Sequence, residues 1–448
     1  MATDLNAFFK AYDVRGTVPD QINVELVRKV GNAFVAVVGA DPIVVGYDMR
    51  PSSPELARAF AEGAMAAGAD VTIIGLCSTD GLYFASGHLG RAGAMFTASH
   101  NPAQYNGIKM CRTHAQPIGM ETGLAEIRDR VASGETLTAD TPGSLDEQDL
   151  LAEYASYLLE LAPVTGRHLK IVVDAGNGMG GLTTPAVLSQ IDAEVVPLYF
   201  ELDGTFPNHE ANPIEPANLV DLQAAVRETG ADIGLAFDGD ADRCFLVDER
   251  GELVSPSVLT ALIAARELAK EPGAAIIHNL ITSRAVPEIV TEHGGRPVRT
   301  RVGHSFIKAT MAETDAIFGG EHSGHFYFRD FWRADSGMLA ALHALAALAE
   351  VEAPLSQVLA PYVRHVASGE INSEVADQQS VVAAIEAEWG SKDGVTTDHL
   401  DGLSVVHDDW WFNVRASNTE PLLRLNAEGK DAETMQQIRD EVLAAIRS

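Results

Sequence analysis

The chain has 448 residues, of which 46% are hydrophobic, and its 32 basic and 63 acidic residues give a net charge of -31 at pH 7. That length exceeds one ordinary domain, and the apolar content can fill several cores, so wholesale disorder is excluded. The acidic surplus argues against a nucleic-acid or anionic-membrane surface, and any phosphate ligand must then meet a local concentration of Arg and Lys.

The opening MATDLNAFFKAYDVRG lacks a basic stretch followed by a long apolar one, so no signal peptide is expected. No run approaches the about 18 apolar residues of a membrane span. Cys77, Cys111 and Cys244 lie far apart without CxxC pairing, which makes a reduced, cytoplasmic protein the expectation.

Pro42–Asp48 reads as a buried strand ending in a polar loop. A helix follows, with Ser53 as its N-cap, Pro54 at its first position and Gly68 as its stop; Val71–Ile74 is the next strand. Strand, helix, strand with short connections is a βαβ unit and implies a parallel sheet. The pattern returns at Lys170–Asp174, which opens into the glycine-rich Ala175–Gly181, and continues through a helix at Leu219–Gly230 to a strand at Ile233–Phe237. A third round runs from Ala274–His278 across a helix at Arg284–His293 to Arg296–Arg299. The last stretch differs. A helix at Val381–Trp389, strands at Ser404–His407 and Trp410–Val414, and an amphipathic helix marked by Met435, Ile438, Val442 and Ile446 form a smaller α+β module. Boundaries near 150, 252 and 365 give four domains: 1–149, 150–252, 253–365 and 366–448.

Several polar loops could carry chemistry. Lys10-Ala-Tyr12-Asp13-Val-Arg15-Gly16 is basic and polar, as is Arg301-Val-Gly-His304-Ser-Phe-Ile-Lys308. In Phe96-Thr-Ala-Ser99-His100-Asn101-Pro102, the Asn-Pro pair signals a turn that exposes Ser99. No glycine lies two residues to either side of Ser99, so it is not a hydrolase nucleophile elbow. Adjacent Ser99 and His100 are expected to point apart, which makes His100 a poor base for its neighbour.

Asp238-Gly-Asp240-Ala-Asp242-Arg243 follows a strand. Three carboxylates at alternate positions raise one another's pKa, and a hard divalent cation removes that cost. A calcium loop also begins D-x-D-x-D, and Glu249 falls where its last ligand would, but Arg243 stands where such a loop needs glycine. Magnesium completed by a phosphate fits better. Gly319-Gly-Glu321-His322-Ser323-Gly-His325 pairs a carboxylate with a hydroxyl, suited to vicinal sugar hydroxyls; zinc on His322 and His325 lacks a third ligand at useful spacing. Arg415-Ala-Ser417-Asn418-Thr419-Glu-Pro421, with Arg424, gathers groups that grip phosphate oxygens. A magnesium loop and a phosphate-gripping turn together point to phosphoryl transfer with Ser99 as carrier.

TASHNP with NGIK, DGDADR, GEHSGH and RASNTEP occur in this order across the whole chain and resemble the α-D-phosphohexomutases. The resemblance implies a four-domain architecture of three related α/β domains and a smaller C-terminal α+β domain. It implies a phosphorylated Ser99, with Mg²⁺ held by Asp238, Asp240, Asp242 and the phosphoserine, and a hexose 1,6-bisphosphate as intermediate and activator. Lys109, Arg15, Arg243, His304 and His325 would surround the reacting groups, and His100 would support the phosphoserine loop or its charge. Tyr12, Glu321, Ser323, Arg415, Ser417, Asn418, Thr419 and Arg424 would hold the sugar phosphate. A water-sensitive phosphoserine further calls for domain closure around substrate. GEHSGH and the serine loop are closest to the phosphomannomutase and phosphomannomutase/phosphoglucomutase branch. The expected reaction is therefore interconversion of mannose 1-phosphate and mannose 6-phosphate. Glucose phosphates are the alternative, ahead of glucosamine phosphates or a sugar-phosphate phosphatase. A non-catalytic sugar-phosphate sensor would need neither Ser99 nor the Asp triplet. The expected assembly is a monomer or weak homodimer.

Overall fold

Buried β-branched strands alternating with alanine-rich helices build parallel sheet in this chain, as their periodicity predicts. The computed structural model describes residues 4–416 and 422–447, with all their side chains except those of His304 and Ser305. Two units result, one of Met1–Leu259 with Ser323–Val358 and the other of Thr260–His322 with Leu359–Ser448. Three mixed α/β domains and a C-terminal antiparallel-sheet domain make up the whole.

In the first unit, β1 (Val14–Thr17), α1 (Val24–Val38), β2 (Ile43–Tyr47), α2 (Ser53–Ala66), β3 (Val71–Leu76), α3 (Thr79–Leu89), β4 (Ala92–Phe96) and β5 (Tyr105–Arg112) succeed one another. The sheet runs in the order β1-β5-β4-β2-β3 and ends on Leu145–Glu147. β4, β2 and β3 are parallel, while β5 runs antiparallel to both β1 and β4. The β4–β5 connection is the serine loop, so Ser99 leaves the carboxyl end of a buried strand, where open α/β sheets place their ligands. Arg15 lies in β1, opposite Gly107, rather than in the loop the sequence suggests.

Ser53 is not the N-cap of α2. Ser52 holds that position, and Ser53 turns inward to donate its hydroxyl to Asp48 at 2.6 Å. A buried carboxylate nearby outcompetes the helix terminus for that hydroxyl.

The second sheet of this unit has the order Leu253–Val254, Cys244–Asp248, Ile233–Phe237, Leu169–Asp174, Ala193–Leu198. Ile233–Phe237 is buried at every residue and delivers Asp238 at its end. The hairpin strands Phe326–Phe328 and Ala334–Asp335, and the wholly buried helix Gly337–Ala349, complete the unit.

In the second unit, Ala275–Asn279 lies between parallel strands Arg296–Thr300 and Phe318–Gly320. Lys308 belongs to the helix His304–Thr314, not to a loop. The remaining sheet is fully antiparallel, ordered Val366–Glu374, Leu422–Gly429, Trp410–Ala416, Leu403–Val406, Thr396–Asp398. The helices Gln378–Trp389 and Ala432–Ile446 cover it, burying Trp389, Met435, Ile438, Val442 and Ile446. Arg415 sits near the end of a strand rather than within the turn that its motif suggests. Among the described residues no helix is long and apolar enough to cross a membrane.

Candidate active site

Ser99 adopts a left-handed backbone with φ of 49°. That conformation is costly for a residue with a Cβ, and such residues concentrate at functional positions. It also overturns two sequence expectations. Ser99 is only 1% exposed, because the turn folds its hydroxyl inward, and Ser99 Oγ lies 3.1 Å from His100 Nδ1 instead of pointing away from it. The same hydroxyl is 2.8 Å from Asp238 Oδ2. Arg243 Nη2 donates to His100 Nδ1 at 3.1 Å, so that nitrogen carries a lone pair and no proton. Burial, then Arg243 and Arg15, hold the His100 imidazole neutral, with its pKa lowered to about 3.

The loop after Ile233–Phe237 packs directly on the serine loop. A Cβ on Gly239 would lie 2.4 Å from the Ser99 carbonyl oxygen, so only glycine lets the two backbones approach. Asp238, Asp240 and Asp242 are all buried, and one carboxylate oxygen from each lies within 4.8 Å of the others. Lys109, projecting from β5, donates to Asp240 Oδ2 at 2.8 Å and to Asp242 Oδ2 at 2.6 Å. Thr79, at the start of α3, donates its hydroxyl to Asp240 Oδ2 at 2.6 Å.

These neighbours split the titration of the triplet. Burial, with Asp242 and Asp240 behind it, pushes Asp238 well up. Burial and Asp242 also push on Asp240, but Lys109 and Thr79 outweigh them and hold it below the ordinary carboxylate range. Burial raises Asp242 too, yet Lys109 and His325 bring it down to about 2. Lys109 answers in kind: burial would discharge it, and the two aspartates keep it protonated. Asp240 Oδ1 and Asp242 Oδ1 remain buried without a hydrogen-bond partner. Two orphaned anionic oxygens beside a third carboxylate fit a hard divalent cation that prefers oxygen ligands.

The basic residues that the acidic composition requires are gathered here. Arg243 brings its Nε within 3.5 Å of Asp238 Oδ2. Arg15 donates to Asn101 Oδ1 at 2.8 Å and pairs with Asp13 at 2.5 Å. Tyr12, half-buried, precedes that strand. His325 Nε2 faces Asp242 Oδ1 at 3.6 Å, and its Nδ1 lies 3.0 Å from Ser323 Oγ. Burial and Arg243 lower His325 to about 4, so it is neutral at pH 7.

In the second unit, Glu321 is buried at the end of Phe318–Gly320, where its Oε1 accepts from Asn279 Nδ2 at 3.3 Å and from the Gly303 backbone at 3.2 Å. Arg415 and Arg424 face each other across neighbouring strands. Ser417, Asn418 and Thr419 and the His304 side chain lie outside the described residues.

Sequence pattern alone missed Arg50. Its guanidinium is fully buried and donates to three carbonyls of the serine loop, Ser99 at 2.9 Å, Asn101 at 2.6 Å and Pro102 at 2.9 Å, and to that of Tyr105 at the start of β5 at 2.9 Å. Its Nε pairs with Asp48 at 3.2 Å, and it lies over the Phe206 ring at 5.1 Å. Asp80 was missed as well. It accepts hydroxyls from Ser78, Tyr154 and Ser336, which ties α3 to two later helices of the same unit. The signal for Arg50 was a lone arginine just past a buried strand; nothing local says that it folds inward.

Profiles described as phosphoglucomutase/phosphomannomutase match the chain in four segments: α/β/α domain I over residues 6–138, domain II over 152–251, domain III over 256–365 and the C-terminal domain over 370–445. Among relatives, the chain is 41% identical to "Phosphohexose mutases" of Xanthomonas campestris pv. campestris, covering 98% of this chain and 99% of that one. It is 40% identical to a phosphomannomutase of Escherichia coli over the same shares. Among solved structures, a phosphoglucomutase/phosphomannomutase family protein of Burkholderia thailandensis superposes with a TM-score of 0.90 at 34% identity, covering 98% of this chain and 97% of that one.

Proposed function

Since the chain belongs to the phosphoglucomutase/phosphomannomutase family and is a phosphohexomutase, an intramolecular phosphotransferase of the isomerase class, we propose that it interconverts mannose 1-phosphate and mannose 6-phosphate. In this reading Ser99 carries the transferred phosphoryl group and a hexose 1,6-bisphosphate is both intermediate and activator. The observation that carries it is the Ser99 hydroxyl 2.8 Å from Asp238, on a loop whose backbone packs against Gly239, between Asp238 and Asp240.

The free sugar hydroxyl attacks phosphorus, the bond from phosphorus to Ser99 Oγ breaks, and the hydroxyl proton needs an acceptor. His325 is a neutral imidazole at pH 7 and can receive it, whereas the His100 Nδ1 lone pair is already taken by Arg243. Ser99 leaves as an alkoxide beside Lys109, Arg243 and Arg15, whose positive charge offsets what develops there. Mg²⁺, held by Asp238, Asp240, Asp242 and the Ser99 phosphate, would supply further neutralisation of phosphoryl oxygens. Glu321 and Ser323 take the sugar hydroxyls, Tyr12 contacts substrate, and Arg415 with Arg424 holds the phosphate that is not reacting. His304, Ser417, Asn418 and Thr419 belong to the same set by the family motifs. Domains of 1–149, 150–252, 253–365 and 366–448 divide these roles.

Glucose phosphates are the second reading, since mannose and glucose differ only at C2 and one Glu–Ser pair serves either. The test is kcat/KM for mannose 1-phosphate, glucose 1-phosphate and glucosamine 1-phosphate with Mg²⁺ and activator present. A mannose preference supports the proposal; a glucosamine preference overturns it.

A further inference from the structure

In the C-terminal sheet, Arg415 and Arg424 are directly opposite one another on adjacent antiparallel strands. Like charges in that position repel. Glu370 sits between them, with its Oε2 2.5 Å from Arg415 Nη2 and its Oε1 3.6 Å from Arg424 Nη1. The strand that carries Glu370 shifts register between Ala367 and Glu370, and Gly369 inside that irregularity has φ of 70°. Bulges of this kind re-aim a side chain. Beyond it Glu370 pairs with Asn426 and Asn372 pairs with Arg424, so the carboxylate shares a face with the arginines. Arg415 is itself buried.

A carboxylate bridging two guanidinium groups occupies the kind of fork that a phosphate takes. We propose that Glu370 is an affinity-setting residue of the phosphate clamp: an internal anion that competes with the substrate phosphate for Arg415 and Arg424 and keeps their grip loose. The inference rests on the reading that this pair holds the non-reacting phosphate. Its functional sense comes from the bisphosphate intermediate, both of whose phosphates must take a turn at the clamp. Uniformly tighter binding adds nothing to the chemical step once substrate is saturating, and it slows exchange.

The experiment is calorimetric titration of mannose 1-phosphate, with glucose 1-phosphate in parallel, into Ser99→Ala protein with and without Glu370→Gln. The amide keeps an acceptor for Arg415 and removes the charge. The expected result is a Kd lower by about tenfold, the order expected of one unit charge at a partly buried site. That gain should shrink as KCl rises. Glu370→Asp, which retains the charge, should stay near the parent value, and melting curves verify that each form is folded. An unchanged or weaker Kd in Glu370→Gln overturns the inference and leaves the mutase reading intact. Arg415→Met binding as tightly as its parent overturns the clamp beneath it. Mutase turnover by the unmodified enzyme tests the function separately.

Discussion

Arg50 Nη2 donates to the carbonyls of Ser99 at 2.9 Å and Asn101 at 2.6 Å, and its Nη1 to those of Pro102 and of Tyr105 at the start of β5. A cation buried with its Asp48 partner thus fixes the left-handed turn that aims the serine. Arg50→Met leaves Asp48 as an unpaired buried carboxylate, and losing one partner of such a pair costs about 3–5 kcal/mol. Arg50→Lys keeps the charge but lacks the planar fork that reaches several carbonyls. It should fold, retain KM and lose about tenfold or more in kcat. Steady-state kinetics beside a melting curve checks this.

Gly239→Ala places a methyl 2.4 Å from the Ser99 carbonyl, with backbone rather than a yielding side chain in its way. The two loops must separate. The expected outcome is a loss of about 1–3 kcal/mol in stability and a fall in kcat, since a 1 Å displacement of reacting groups can cost about a hundredfold. Chemical denaturation and turnover of the variant read both.

Divalent metal should stabilise the protein by removing the repulsion among Asp238, Asp240 and Asp242. A ligand at about a hundred times its Kd adds about 2.7 kcal/mol. The melting temperature should rise with Mg²⁺ and return on chelation, while Asp240→Asn should melt at a temperature insensitive to Mg²⁺. Differential scanning fluorimetry measures the three cases.

Two histidines give opposite pH dependences. His209 Nε2 lies 3.0 Å from Asp174 and its Nδ1 faces the Glu210 carbonyl at 2.8 Å, so the Asp174 hydrogen bond raises its pKa despite partial burial. Its stabilisation is complete below the unfolded value of about 6.5 and is lost as pH rises through the raised folded value. His278 is buried and held down to about 4, so it costs stability as pH falls from about 6.5 towards that value. His209→Gln should flatten the alkaline side of a stability–pH curve, and His278→Gln the acid side. Urea titrations across pH check each.

Strands, helices and the carboxylate triplet were legible because each depends on local pattern. Ile233–Phe237 is an apolar run and Asp238, Asp240 and Asp242 come directly after it, so their convergence needed no long-range information. Met435, Ile438, Val442 and Ile446 all turn inward as their spacing requires. What failed depended on tertiary partners. The cap at Ser53 lost to Asp48, the exposed Ser99 lost to Asp238 and His100, and Arg50 is decided by carbonyls about fifty residues away, as its hydrogen bonds record. Arg15 and Lys308 read as loop residues because a polar stretch hides a strand or a helix whose other face is apolar.

Whether Ser99 carries the phosphoryl group is read most directly by intact-mass analysis after incubation with a hexose 1,6-bisphosphate. The expected result is one added phosphate on the protein, mapped to Ser99 and absent from Ser99→Ala. Turnover of mannose 1-phosphate by protein that never acquires that phosphate would contradict it.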